Sequence, residues 1–92
     1  MKIAINRCYG GFCLSKEAYD FLGLEWDDYG FAYNNTQSRA DKDLIKCIET
    51  LGKKANGYFA DIKIVEIPDD IEWDIDDYDG KEHVYELHRT WL

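Results

Sequence analysis

The residues best suited to chemistry cluster around one loop. Cys8-Tyr9-Gly10-Gly11-Phe12-Cys13-Leu14-Ser15 joins an apolar run, Lys2–Arg7, to a helical pattern that starts after Ser15. Two adjacent glycines let a backbone bend tightly and come close to a ligand. Ser15 is a helix cap, and the N–H groups behind such a cap point back at the loop. Strand, glycine turn and helix start together form one type of anion site. Tyr9 or Phe12 could stack on a base, and Arg7 and Arg89 could neutralise phosphates or stack on purines. Arg89-Thr90-Trp91 sets a guanidinium, a hydroxyl and an indole side by side near the end. Gly-Gly is not a phosphate fingerprint. The same residues also fit a tight strand-to-helix turn, with Tyr9 and Phe12 in the core and Trp91 as an anchor.

Other chemistry is weaker. Cys8 and Cys13 with His83 and His88 could form a metal site or a thiol enzyme, and Ser15 could pair with either histidine. The spacings match no signature, so neither a catalytic residue, a metal nor a cofactor is expected. Tyr33 and the amide-rich Asn34–Ser38 run, near Trp26, Tyr29 and Phe31, could read base edges or be an ordinary polar loop. Ten acids, from Glu66 to Glu86, crowd the last third. They fit a solvated strand face that resists aggregation, or a mimic of nucleic-acid phosphates. Their register lacks the calcium-loop spacing.

These residues must be held by a short chain of elements. Lys2–Arg7 alternates as a half-buried strand. Leu14 and Tyr19 have the spacing of a hydrophobic staple around the Ser15 cap, and Gly23 ends the first helix. Phe31–Tyr33 suggests a short strand. Asp41 caps a second helix, Lys42–Leu51, with Leu44, Ile45, Ile48 and Leu51 on one face and Gly52 as its stop. Asn56-Gly57 marks a turn. Tyr58–Ile67 predicts a strand with apolar residues on both faces, ended by Pro68. Ile71–Tyr78 alternates, and Asp79-Gly80 predicts a hairpin that pairs Ile75 with Val84 and Ile71 with His88. Residues 81–91 also fit a helical spacing, but the Asp-Gly after a regular strand favours the hairpin. The pattern predicts one α+β domain over residues 1–92: a small, mostly antiparallel sheet with two helices packed on one face.

Composition narrows the partners. The net charge is −8, which argues against sequence-independent binding of DNA or RNA polymers. A small phosphate ligand in a local pocket is compatible with it. Three Trp, seven Tyr and four Phe in 92 residues give a large aromatic payload. A chain this short buries a modest fraction of its surface and gains from assembly. Three cysteines, no signal-peptide pattern and no membrane-length apolar run predict a soluble protein in a reducing, intracellular setting.

Six blocks of the sequence carry a resemblance: Met1-Lys2-Ile3, Cys8–Phe12 with Leu14-Ser15, Leu51–Gly57, Val65–Asp70, Asp77–Gly80 and His88–Trp91. They span nearly the whole chain. Through them the chain resembles a widespread family of very short phage-encoded proteins. The family is similar to proteins tied to evasion of bacterial CBASS defence. The resemblance implies a non-enzymatic sponge, a homo-oligomer (a tetramer) in the host bacterial cytoplasm. Such a sponge sequesters cyclic dinucleotides such as 3′3′-cGAMP without cleaving them. The ligand-binding residues expected from loop and resemblance together are Arg7, Tyr9, Gly10, Gly11, Phe12, Ser15, Tyr33, Arg89 and Trp91. Members usually carry glycine where this chain has Cys13, and Asp-Pro where it has Asp41-Lys42. The alternative is an acidic protein-binding inhibitor, a nucleic-acid mimic acting on a host defence protein.

Overall fold

A computed structural model of the chain describes residues 1–87. The fold is α+β, with β1 (Lys2–Asn6), α1 (Lys16–Leu22), α2 (Lys42–Leu51), β2 (Ile62–Glu66), β3 (Trp73–Tyr78) and β4 (Lys81–Glu86). Single 3-10 turns lie at Thr36–Ser38 and Gly52–Ala55.

Local signals set the helix ends. Ser15 Oγ accepts from the Ala18 N–H at 3.1 Å, and Gly23 closes α1 at φ 71°. Asp41 Oδ2 accepts from the N–H groups of Asp43 and Leu44 at 3.0 and 3.1 Å. Such caps satisfy donors that the helix itself leaves free. Asp79 and Gly80 both take positive φ, 51° and 89°. This is the backbone that a two-residue hairpin turn with the right twist requires. Ile75 pairs with Val84 as the turn predicts, and residues 81–86 are strand, not helix. The expected partner of Ile71, His88, lies outside the described residues.

The sheet is divided. β1 pairs antiparallel with β2, and β3 with β4, as two separate two-stranded sheets. The reason lies on the outer edge of β1. Its Ala4 N–H donates to the Arg39 carbonyl at 2.9 Å, and its Asn6 N–H to Glu82 Oε1 at 2.8 Å. A loop carbonyl and a side chain thus take the places that a third strand would fill. The hairpin packs on the first sheet instead of extending it.

β1 is consequently buried on both faces, not half-buried as its alternation suggested. Ala4, with Ile62 and Ile64 of β2, faces the helices, against Ala18, Tyr19, Leu44, Ile45 and Ile48. Ile3 and Ile5 face the hairpin, against Ile75, Trp73 and Val84. Both helices therefore sit on one side of β1–β2 and the hairpin on the other. Three further expectations are corrected. Phe31–Tyr33 is turn, not strand. The strand expected from Tyr58 begins at Ile62, and the turn before it runs Gly57–Ala60, closed by the Ala60 N–H on the Gly57 carbonyl at 3.2 Å. β3 starts at Trp73, two residues later than its alternation.

Candidate functional site

Asn6 fixes the start of the glycine loop. Its side-chain amide donates to the carbonyls of Cys8 and Gly80, and its Oδ1 accepts from the Asp61 N–H at 2.8 Å. One buried amide thus ties β1, the loop, the hairpin tip and the approach to β2 together.

The two glycines serve different ends. A Cβ on Gly10 would sit 2.3 Å from both Cβ and O of Phe59. Gly11 has open space around it but takes φ +90°. Gly80 presses on the other side, where a Cβ would lie 2.4 Å from the Gly11 nitrogen. The loop is clamped between the hairpin tip and the Gly57–Ala60 turn. The close approach that the Gly-Gly pair suggested is made by protein backbone.

The other expected site residues separate. Arg7 is exposed, and its Nη1 donates to the Glu82 carbonyl at 3.0 Å. Tyr9 is exposed, with the Lys81 ammonium 5.5 Å from its ring centre. Phe12 is buried at 3% exposure, so its ring is not free to stack on a base. The Arg39 guanidinium covers that ring, 3.6 Å from its centre. Tyr33 packs against the core, at φ 62°. Arg89 and Trp91 lie outside the described residues. Of the expected residues that are described, Ser15 lines a cavity.

That cavity is a groove of about 500 Å³ at the loop's exit, within the size range of ligand sites. Its walls are Cys13–Lys16, Trp26, Asp28, Tyr29 and Asn56–Tyr58. Hydrogen bonds shape it from three directions. The Leu14 N–H donates to the Gly30 carbonyl, the Gly57 N–H to the Cys13 carbonyl, both at 2.8 Å, and the Ser15 N–H to the Ala55 carbonyl at 2.9 Å. The Cys13 thiol donates to the Tyr29 carbonyl at 3.0 Å. Its sulfur fills the space between Gly30 and Gly57, where added Cβ atoms would fall 2.9 and 2.5 Å from it. Burial raises its pKa.

Asp27 organises the groove's far wall. Its carboxylate accepts from the N–H groups of Gly30 and Tyr29 at 2.6 and 2.8 Å, and from the Tyr19 hydroxyl at 2.8 Å. These donors hold its pKa down at about 2, with the Gly30 N–H contributing most. Tyr19 accepts in turn from the Ala32 N–H at 2.7 Å, and its ring meets Trp26 edge-on at 4.9 Å. Burial, with the Asp27 carboxylate adding, pushes the Tyr19 phenol up to about 12. Tyr29, stacked on Phe31 with ring centres 5.6 Å apart, is 66% exposed and Tyr58 85% exposed, and both line the groove. Lys16 brings a cation to the rim and Asp28 an anion. The groove offers planar apolar surfaces, one ammonium, and Asn56 and Asp28 as polar groups.

Two features escaped the sequence. Trp26 and Tyr29 stood out as aromatics among acids, but nothing local paired them with Tyr58. The second is the buried ion pair of Arg39 and Glu82. Arg39 Nη2 meets Glu82 Oε2 at 2.8 Å, Nη1 meets Oε1, and Nε donates to the Tyr33 carbonyl at 2.8 Å. Glu82 therefore leaves the wet acidic face to which composition assigns it.

No protein-family model matches this chain, and neither a curated protein nor a solved structure matches it.

Proposed function

We propose that the chain is a binding protein that sequesters a cyclic dinucleotide, such as 3′3′-cGAMP, in the groove at the exit of the glycine loop. The observation that carries this reading is the groove itself, lined by exposed Tyr29 and Tyr58 together with Trp26 and Lys16. Stacking on an aromatic side chain is worth roughly 1–3 kcal/mol per base. An ammonium at the rim suits a phosphate, and Asn56 and Asp28 can meet base edges. The acidic remainder of the surface disfavours long nucleic acids and leaves small anions as ligands. The resemblance to phage sponges of CBASS signals points the same way. It implies a homo-oligomer in the host bacterial cytoplasm that evades immunity by holding the signal intact.

Calorimetric titration of the full chain with 3′3′-cGAMP tests this, followed by denaturation and recovery of the nucleotide. Saturable binding and intact ligand are expected, with Tyr58→Ala and Trp26→Ala each weakening binding about tenfold. Absence of binding at ligand excess sinks the reading. Recovery of a cleaved product replaces it with a phosphodiesterase.

A second reading, an acidic inhibitor of a basic host protein, draws on the outer face of β3–β4. Asp74 and Asp76 lie on that face with exposed Tyr78 and Tyr85. Charge reversal at Asp74 and Asp76 should leave nucleotide binding unchanged and matter only under this alternative.

A further inference from the structure

A second concavity lies at the opposite end of β1, away from the glycine loop. It holds about 420 Å³ between the start of β1 and α2, with Met1, Ala40 and Ile45 among its walls. Its rim carries Lys2, Lys42 and Lys46, with Glu49 and Asp69. The chain has 11 basic residues against 19 acidic ones, so three lysines on one rim run against the global balance. Lys2 is paired with Glu49 at 2.7 Å, and Asp69 is taken by the amino group of Met1. Lys42 and Lys46 make no ion pair among the described residues. They stand one helical turn apart, an arrangement that puts both ammonium groups on the same side of α2. Ile45 lies between them in sequence, and Met1 and Ala40 line the same concavity.

From this we infer a binding site for a small amphiphilic anion. Lys42 and Lys46 hold a carboxylate or phosphate head, while the apolar body lies on Met1, Ala40 and Ile45. Charge complementarity selects the head group, because Lys42 and Lys46 bring two ammonium groups that form no ion pair among the described residues, while Glu49 and Asp69 are taken by Lys2 and the Met1 amine. The apolar floor selects against bare inorganic anions, which bury no hydrophobic surface. Lysine stems extend that floor and keep their charges at its edge. The site shares no residue with the groove at Trp26 and Tyr58, so it stands or falls independently of the nucleotide reading.

An NMR titration of the full, isotope-labelled chain with decanoate, decanol and inorganic phosphate tests it. Decanoate should shift Met1, Lys2, Ala40 and Lys42–Glu49 saturably. Decanol and phosphate should each bind at least about tenfold more weakly. Lys42→Glu with Lys46→Glu should weaken decanoate about tenfold or more, and the milder Lys42→Gln with Lys46→Gln severalfold, with unchanged spectra elsewhere. Shifts confined to Trp26, Tyr29 and Tyr58 overturn the proposal. So does decanol binding as well as decanoate, or an affinity that both double variants leave within about twofold.

Discussion

Removing the Arg39 side chain leaves the Glu82 carboxylate buried, with the Asn6 N–H as its one remaining donor. It also strips the cover from Phe12 and frees the Tyr33 and Asn34 carbonyls. Breaking a buried pair from one side costs about 3–5 kcal/mol, a large share of what holds a small domain folded. Arg39→Met and Glu82→Leu should each lower the unfolding free energy measured in urea by that order. Arg39→Met with Glu82→Leu should cost much less than the two added together, since no charge is then stranded. Additive losses would show that the two residues act apart. Glu82 was partly legible: the hairpin register sets it on the inward face with Val84 and Ile75. Arg39 was not, because a lone arginine after a polar run carries no sign that a carboxylate waits 43 positions away.

At the scale of elements, the glycine loop, the hairpin tip and the Gly57–Ala60 turn form one knot. Gly10→Ala pushes a methyl into the backbone of Phe59, which cannot swing aside as a side chain would. Overpacking of this kind costs about 1–3 kcal/mol. Gly11→Ala meets no neighbour and should cost only the strain of positive φ, about 1 kcal/mol. Gly80→Ala combines both penalties and should be the worst of the three. Thermal melts of the three variants give the ranking, and equal losses would mean that the contacts at Gly10 and Gly80 are not tight. Elements closed by local chemistry were readable in advance: the caps at Ser15 and Asp41, the stops at Gly23 and Gly52, the turn at Asp79-Gly80. The division of the sheet was not, since it depends on Arg39 and Glu82 occupying the edge of β1. Residues 24–34 escaped because side chains, not a β-ladder, gather their N–H groups: Asp27 accepts from Tyr29, Gly30 and Phe31, and the Tyr19 hydroxyl from Ala32. The groove joins that loop to Cys13–Lys16 and Asn56–Tyr58, so Trp26 and Tyr29 could be read as candidates beside a base-reading loop, but not as partners of Tyr58.

The molecule as a whole carries an excess of eight negative charges, and one hydrogen-bonded pair, Asp27 with Tyr19, contributes to its response to pH at both limits, with burial of Tyr33, Cys13 and Cys47 adding on the alkaline side. Asp27 titrates at about 2 in the fold against an ordinary 3.8. Between those values the unfolded chain binds the proton first, so the contribution is complete above about 3.8 and is lost as pH falls toward 2. Tyr19 moves the other way, from an ordinary 10 up to about 12. The unfolded chain releases this proton first, so stability is lost as pH rises from about 10 toward 12. Self-repulsion among the acids is a separate, screened effect that added salt relieves at neutral pH. Urea unfolding across the pH range should therefore show an acid limb that Asp27→Asn flattens and an alkaline limb that Tyr19→Phe flattens. Asp27→Asn should be less stable than the parent at pH 7, the gap closing toward pH 2. Tyr19→Phe also strands the Ala32 N–H, so its curve should lie lower on the plateau and approach the parent's only above pH 12. Curves that run parallel to the parent's at both limits would show that other groups govern the window.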